Sequence, residues 1–346
     1  MNHSGALEGE LDLETIRAQI EIVSLSVSAW RAQVLYTAVK VGLFECLAGG
    51  SKTIEQLSRE LGCPVRSLER LVIAAHAMRL LEREGSQYRN GKPAARTLVT
   101  GQPGYVGNWI RLTSQWFKPW SHLEQAVRSG ENVEDPSLHL GATPEYNRDF
   151  IRGMHDYANS RGRDLLRYLD LSGVRRLIDV GGGPGTYSII FARKHPELTC
   201  TVFDLPEVVK IAGEYVAEAG LQDRVKLQPG DYTKNEFGAD FDLAFLSDML
   251  QQEDPDTALT VLEKAFRALK PGGRIVIQAM FLKDDNSGPE WPALHNLMLL
   301  LISRHGKALT MAETIQWLER AGFVGVERVP MSFYNANSLI VARKPG

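Results

Sequence analysis

Residues 177–185 read Leu-Ile-Asp-Val-Gly-Gly-Gly-Pro-Gly. Leu177, Ile178 and Val180 are apolar and mostly β-branched, the composition of a buried parallel strand. Gly181, Gly183 and Gly185 then alternate, and a helical pattern follows over residues 186–194. A glycine turn between strand and helix lets a ligand lie against bare backbone at a helix N-terminus. The dinucleotide spacing GxGxxG fails, because Thr186 stands where its third glycine belongs. What remains is D-x-G-x-G-x-G, with Asp179 at the strand end. An acid in that turn suits a cationic ligand better than a pyrophosphate.

Outward from this turn, apolar runs predict strands over residues 176–180, 199–204, 225–229, 243–247, 274–279, 325–330 and 338–343. Helical patterns lie between them, clearest over 257–269 and 312–322. Such alternation predicts an open α/β sheet, doubly wound and Rossmann-like, with helices on both faces. The connection 331–337 is too short for a crossover helix, so the last strand should pair antiparallel. Ligands of such sheets sit outside the carboxyl ends of the strands, at the switch in strand order.

Ahead of the sheet, residues 1–10 are polar and expected to fray. Residues 11–48 read as one long helix or two abutting ones, apolar over a face wider than a solvent-facing helix needs. Residues 53–61 and 65–78 predict two helices, and 80–82 with 87–89 a hairpin around Gly85 and Ser86. This winged-helix outline would suit DNA, but its second helix mixes Arg66, Arg70 and Arg79 with Glu69 and carries a long apolar face. Packing against protein is the expectation. Residues 101–140 are aromatic, with Trp109, Trp116 and Trp120 at helical spacing, either core or the wall of an apolar pocket. A further helix is predicted over 146–169.

The whole chain has 346 residues, 44% of them hydrophobic, enough for a large core and two domains. A net charge of −3 argues against a partner held by phosphate contacts. Cys46, Cys63 and Cys200 show no metal-ligand spacing, so no structural metal and a reducing compartment are expected. With neither a membrane-length apolar run nor a signal-peptide core, the expectation is a cytoplasmic protein.

Acids end successive strands. Asp204 lies where an acid can take two ribose hydroxyls, Asp231 and Tyr232 suit an adenine amino group and ring face, and Ser247 and Asp248 close the fourth strand. One such acid is commonly a helix cap. Asp179, Asp204 and Asp231 together point to a ribose, an adenine and a positive charge.

LIDVGGGPG, TVFDLPEVV, GDY and ALKPGGRIVI, in that order, resemble a class I S-adenosylmethionine-dependent methyltransferase. The winged-helix half narrows the resemblance to the O-methyltransferase family that includes caffeic acid, acetylserotonin and bacterial antibiotic and pigment enzymes. It covers the chain from about Ile20 onward. It implies a winged-helix dimerisation domain over residues 1–100, a helical connector and acceptor-pocket wall over 101–170, and a cofactor domain over 171–346. It also implies S-adenosyl-L-methionine as cofactor, a homodimer, a small-molecule acceptor, and neither nucleic-acid nor membrane partner. Gly181, Gly183, Asp204, Asp231 and Tyr232 would hold the cofactor, with Phe150 and Met154 packing nearby. Asp179, Leu205 and Ser247 complete the expected set.

One departure bears on mechanism. The family carries a base histidine in a segment like LSxxLHDW, whereas residues 246–252 read Leu-Ser-Asp-Met-Leu-Gln-Gln, with Gln251 in its place. Ala279 and Ala308 fall where plant members have glutamates. A glutamine orients but does not usefully accept a proton, and a phenol with a pKa of about 10 normally needs a base. Three enzymatic readings follow, with a non-enzymatic binding protein as a fourth class behind them. Methyl transfer could run by positioning or with another base, Asp248 or His295, the latter in the apolar helix 291–303 that caps the acceptor site in relatives. The acceptor could be a carbon or an already ionised group. Or the cofactor could serve as a bound cation in a non-methylating reaction. The acceptor pocket reads as apolar and aromatic, suited to a fused-ring or polyketide-like molecule.

Overall fold

The computed structural model describes residues 12–133, 143–331 and 337–346. The start expected to fray, the far end of the aromatic stretch and most of the connection 331–337 lie outside the described residues. The chain divides into two compact units, Met1–Ser114 and Gln115–Gly346. Among the described residues no helix is long and apolar enough to cross a membrane.

In the first unit the stretch 11–48 forms α1 (Leu13–Ser26), α2 (Ser28–Lys40) and the single turn α3 (Leu43–Cys46). The helix breaks at Val27, whose backbone is non-helical, and again at Gly42 in the left-handed region at φ 79°. After β1 (Lys52–Thr53) comes α4 (Ile54–Leu61), opened by a capping box in which Thr53 and Gln56 satisfy each other's backbone N–H. Then follow α5 (Val65–Ala77), the hairpin β2 (Leu81–Glu84) and β3 (Gln87–Asn90), and α6 (Lys92–Thr97). Leu57, Leu68, Val72, Ala75 and Leu81 form the centre of its core, so the winged-helix outline is present. By contrast α1 buries no residue, leaving Leu13, Ile20, Val23 and Leu25 exposed. α7 (Gly107–Trp120) runs across the division and carries Trp109, Trp116 and Trp120.

The second unit continues with α8 (Leu123–Ser129), α9 (Pro144–Leu165), β4 (Arg176–Val180), α10 (Thr186–Lys194), β5 (Thr199–Asp204) and α11 (Pro206–Glu218). β6 (Val225–Pro229), β7 (Phe241–Ser247), α12 (Pro255–Ala268), β8 (Leu269–Met280), α13 (Glu290–Ile302), α14 (Met311–Arg320), β9 (Val324–Pro330) and β10 (Asn337–Arg343) complete it. Seven strands run in the order β6-β5-β4-β7-β8-β10-β9. β6 through β8 are mutually parallel, and β10 lies antiparallel between β8 and β9. The order reverses between β4 and β7, which puts the glycine turn at the crevice. β8 starts five residues before the apolar run that predicts it, because Leu269 pairs with Phe241 across a register irregularity.

Both faces of this sheet are buried. Leu165, Tyr187, Phe191 and Val216 from α9, α10 and α11 cover one, and Ala258, Val261 and Leu318 from α12 and α14 the other. Phe203 of β5 is fully buried against Phe237, ring centroids 5.0 Å apart. A Cβ at Gly230 would overlap the Phe203 ring, 2.7 Å from its Cε2. That ring has no room to give, so Gly230→Ala should cost about 1–3 kcal/mol by overpacking. Urea unfolding measures it, and an unchanged midpoint would contradict this packing.

Candidate functional site

The glycine turn folds over a buried acid. Asp179 is 1% exposed, and Ser188 of α10 donates its hydroxyl to Asp179 Oδ2 at 2.7 Å. Gly182 lies directly over this carboxyl, where a Cβ would fall 2.8 Å from Asp179 Cγ. Gly181, Gly183 and Gly185 all sit in the left-handed region, at φ 65°, 54° and 70°. The turn is tied to the neighbouring strand: Gly181 N–H donates to Phe203 O at 2.8 Å and Gly183 N–H to Asp204 Oδ2 at 2.7 Å. Leu205 N–H donates to Asp204 Oδ1 at 2.7 Å. Each Asp204 oxygen therefore has one backbone donor and a further lone pair.

The electrostatics of this turn favour positive charge. Burial, joined by the nearby Asp204 charge, pushes Asp179 up to about 7 against the Ser188 hydrogen bond. Burial likewise pushes Asp204 up to about 6 against two backbone amides. A cation placed here would return both carboxyls toward the ionised form.

α9 flanks the turn. His155 Nδ1 lies 2.8 Å from the hydroxyl of Thr186, the first residue of α10, and its ring stacks 4.0 Å from that of Tyr215 on α11. Burial pulls His155 down to about 4, so it is neutral at pH 7. Arg148 pairs with Glu214 at 3.2 Å, and Phe150 stacks on Tyr146. Phe150 and Met154 are thus on a helix pinned to both α10 and α11. His155 is absent from the sequence-predicted set, since its partners come from two other helices and no local motif marks it.

At the end of β6, Asp231 Oδ1 accepts from the Thr233 amide and hydroxyl, and Oδ2 pairs with Lys234 at 2.8 Å. Tyr232 donates its hydroxyl to Glu253 Oε1 at 2.7 Å. At the end of β7, Ser247 donates weakly to Gln278 Oε1 at 3.4 Å. Asp248 takes the left-handed region at φ 49° and donates its N–H to Gln278 O at 2.9 Å. Met249 packs on the glycine turn, its Cβ 3.4 Å from where a Cβ on Gly181 would lie.

Gln251 lies in a 3₁₀ turn, Leu250–Gln252, and is 6% exposed. Its Oε1 is buried without a hydrogen-bond partner. Lys307 N–H donates to Gln251 O at 2.9 Å and Ala308 N–H to Asn296 Oδ1 at 2.7 Å, so one short segment ties Gln251 to α13, which carries His295. Burial pulls His295 down to about 4. Among the described residues no hydrogen bond or ion pair joins Asp248 to Gln251 or His295.

Asp179 offers a direct check of the turn. With its carboxyl raised from 3.8 to about 7 in the folded protein, it contributes stability that is lost as pH rises through 7. Asp179→Asn removes this dependence. The stability of the variant relative to wild type should grow by roughly 1–3 kcal/mol between about pH 4.5 and 8. Urea unfolding of the unliganded proteins measures this difference, and a flat difference would contradict the buried acid.

Comparisons with known proteins agree with this geometry. The model of the O-methyltransferase domain matches residues 120–324, and that of the O-methyltransferase dimerisation domain residues 23–101. The chain is 34% identical to a 3-hydroxy-5-methyl-1-naphthoate 3-O-methyltransferase of Streptomyces sahachiroi over 327 residues, covering 93% of this chain and 94% of that one. It is 30% identical to the tetracenomycin polyketide synthesis 8-O-methyl transferase of Streptomyces glaucescens, over 95% of this chain and 98% of that one. Human N-acetylserotonin methyltransferase in complex with SAM shares the fold, with a TM-score of 0.88 at 24% identity over 99% of this chain and 100% of that one. The chain accordingly belongs to the O-methyltransferase family and is an S-adenosylmethionine-dependent methyltransferase.

Proposed function

We propose that this enzyme O-methylates a small, fused-ring aromatic acceptor and that its contribution to the reaction is positioning rather than proton removal. The observation that carries this reading is Gln251, a buried amide whose Oε1 lacks a donor. An unsatisfied buried acceptor costs about 1–3 kcal/mol, and a hydroxyl on the bound acceptor would relieve it. The amide can hold that hydroxyl in line but cannot take its proton. His295 near 4 is neutral but far too weak a base to compete for the proton of a phenol with a pKa of about 10. Ionisation then belongs to the acceptor, and alignment to the protein. The acceptor class is supported by the two Streptomyces relatives, which by name act on a hydroxynaphthoate and in polyketide synthesis.

The residues present fit the cofactor. Bare backbone at Gly181 and Gly183 leaves room for it, and the buried carboxyls of Asp179 and Asp204 are set for a positive charge. When bound, S-adenosylmethionine supplies an electrophilic methyl group on a sulfonium. Asp204, beside Leu205, is placed to take ribose hydroxyls through its second lone pairs. Asp231 and Tyr232 serve the adenine, and Ser247, Phe150 and Met154 close the site. Asp179 acts from beneath, through the turn it holds.

The enzyme is further proposed to be a homodimer. α1 buries none of its residues within its own chain, and a dimerisation-domain match begins at residue 23. Covering the apolar face of residues 11–48 together with the winged-helix half should bury well over roughly 2,000 Å² in total. Sedimentation at micromolar concentration should report two chains, and a monomer would contradict it.

Gln251→Ala, assayed at saturating cofactor and acceptor, should lower the rate by about tenfold or less. His295→Ala and Asp248→Asn should likewise leave the saturated rate within about a hundredfold of wild type. A larger loss in either would identify that residue as a base and overturn the positioning account.

A further inference from the structure

Two acids follow the Gln251 turn, and they serve different ends. Asp254 caps α12: its carboxylate accepts from the Asp256 and Thr257 amides at 3.0 Å each and from the Thr257 hydroxyl at 2.7 Å. Glu253 takes no part in that cap. Its Oε1 accepts instead from the hydroxyl of Tyr232, 2.7 Å away and 21 residues earlier in the chain. Among the described residues no cation pairs with Glu253. A hydroxyl-to-carboxylate bond this short is charge-assisted and stronger than a neutral one.

The bond joins two parts of the site. Tyr232 lies just beyond β6, on the cofactor side, where its O accepts from Lys264 Nζ of α12 at 3.0 Å. Tyr232 is thus held at its main chain by Lys264, a buried residue, and at its ring tip by Glu253. Glu253 in turn closes the 3₁₀ turn Leu250–Gln252, its N–H donating to Leu250 O at 3.2 Å. From the other side the residues after α13 reach the same turn, Lys307 N–H on Gln251 O and the Ser303 hydroxyl on Gln252 O at 3.5 Å. One short 3₁₀ turn is weakly held by its own hydrogen bonds. The direction of the Gln251 amide is therefore set by what grips the turn from outside, and Glu253 is the grip on the cofactor side.

We infer that Glu253 is a positioning residue for methyl transfer: through its bond from Tyr232 it registers the Gln251 amide against the cofactor loop. This rests on the reading of Tyr232 and Gln251 given above. Acceptor hydroxyl and methyl donor are then held on one frame, and cofactor that packs on Tyr232 stiffens the turn that aligns the acceptor. In-line displacement is sensitive to small misplacements of the reacting groups, so a tie of this kind acts on rate rather than on cofactor affinity. The carboxylate only has to accept a hydrogen bond, which a glutamine Oε1 does equally.

Hydrogen exchange of residues 250–253, with and without saturating S-adenosylhomocysteine, tests this without an acceptor. In wild type the ligand should slow exchange there at least about threefold. Glu253→Ala and Tyr232→Phe should each lose that slowing, and Glu253→Gln should keep it, because its Oε1 still accepts the Tyr232 hydroxyl. By calorimetry, Glu253→Ala should bind S-adenosylhomocysteine within about twofold of wild type. With hydroxynaphthoate as acceptor and both substrates saturating, Glu253→Ala should lower the rate about threefold to tenfold. In the Gln251→Ala background the same change should cost less than about twofold, since it acts through that amide. Slowing retained in Glu253→Ala, no rescue by Glu253→Gln, or losses that multiply with Gln251→Ala would each overturn the tether. Should hydroxynaphthoate prove a poor acceptor, the exchange measurement decides alone. Wild type that binds no S-adenosylhomocysteine would defeat the cofactor reading and the tether together, whereas binding without slowing defeats the tether alone.

Discussion

The hydrogen bond from Ser188 to Asp179, made beneath Gly181, Gly182 and Gly183, is the constraint on which the cofactor domain depends. It joins the end of β4 to the first turn of α10, and so sets the angle at which helix leaves strand. Gly182 can pass over the carboxyl only because it has no side chain. The amides of Gly181 and Gly183 are thereby aimed at Phe203 O and Asp204, which couples the turn to β5. Strand order reverses beside it, so the crevice opens where bare backbone is available. The bond is made at a cost, since it holds an acid in a site that disfavours its charge.

That cost is shared across the site in a consistent direction. Burial raises Asp179, Asp204 and Asp248 and lowers His155 and His295. The carboxyls gain from an incoming cation, while the histidines stay neutral and add no competing positive charge. Around Gln251 the polar demand is different in kind. There the unmet need is a single hydrogen-bond donor, which a hydroxyl supplies and a charge does not.

Much of the cofactor domain was legible in its sequence because parallel strands covered on both faces must be apolar runs. β4, β5 and β6 lie over the residues those runs mark, and the short connection before β10 forces its antiparallel pairing. The early start of β8 was not legible, since it arises from pairing between Leu269 and Phe241 across an irregularity. The break at Val27 carries neither glycine nor proline to announce it. In the site, motif residues on the turn and strand ends could be found by spacing. His155 could not, because it is an ordinary polar residue of a helix whose meaning comes from Thr186 and Tyr215 elsewhere in the chain. The left-handed backbone at Asp248 is likewise invisible to residue type.

The central claim is that this protein aligns its acceptor and leaves ionisation to the acceptor's own chemistry. The pH dependence of single-turnover S-adenosylhomocysteine formation, measured across hydroxyarenes of differing acidity, tests it most directly. The account predicts a rate that climbs about tenfold per pH unit and levels off at each acceptor's own pKa, so that the break moves with the acceptor. A break that stays at one pH for every acceptor would report a base of the enzyme and contradict it.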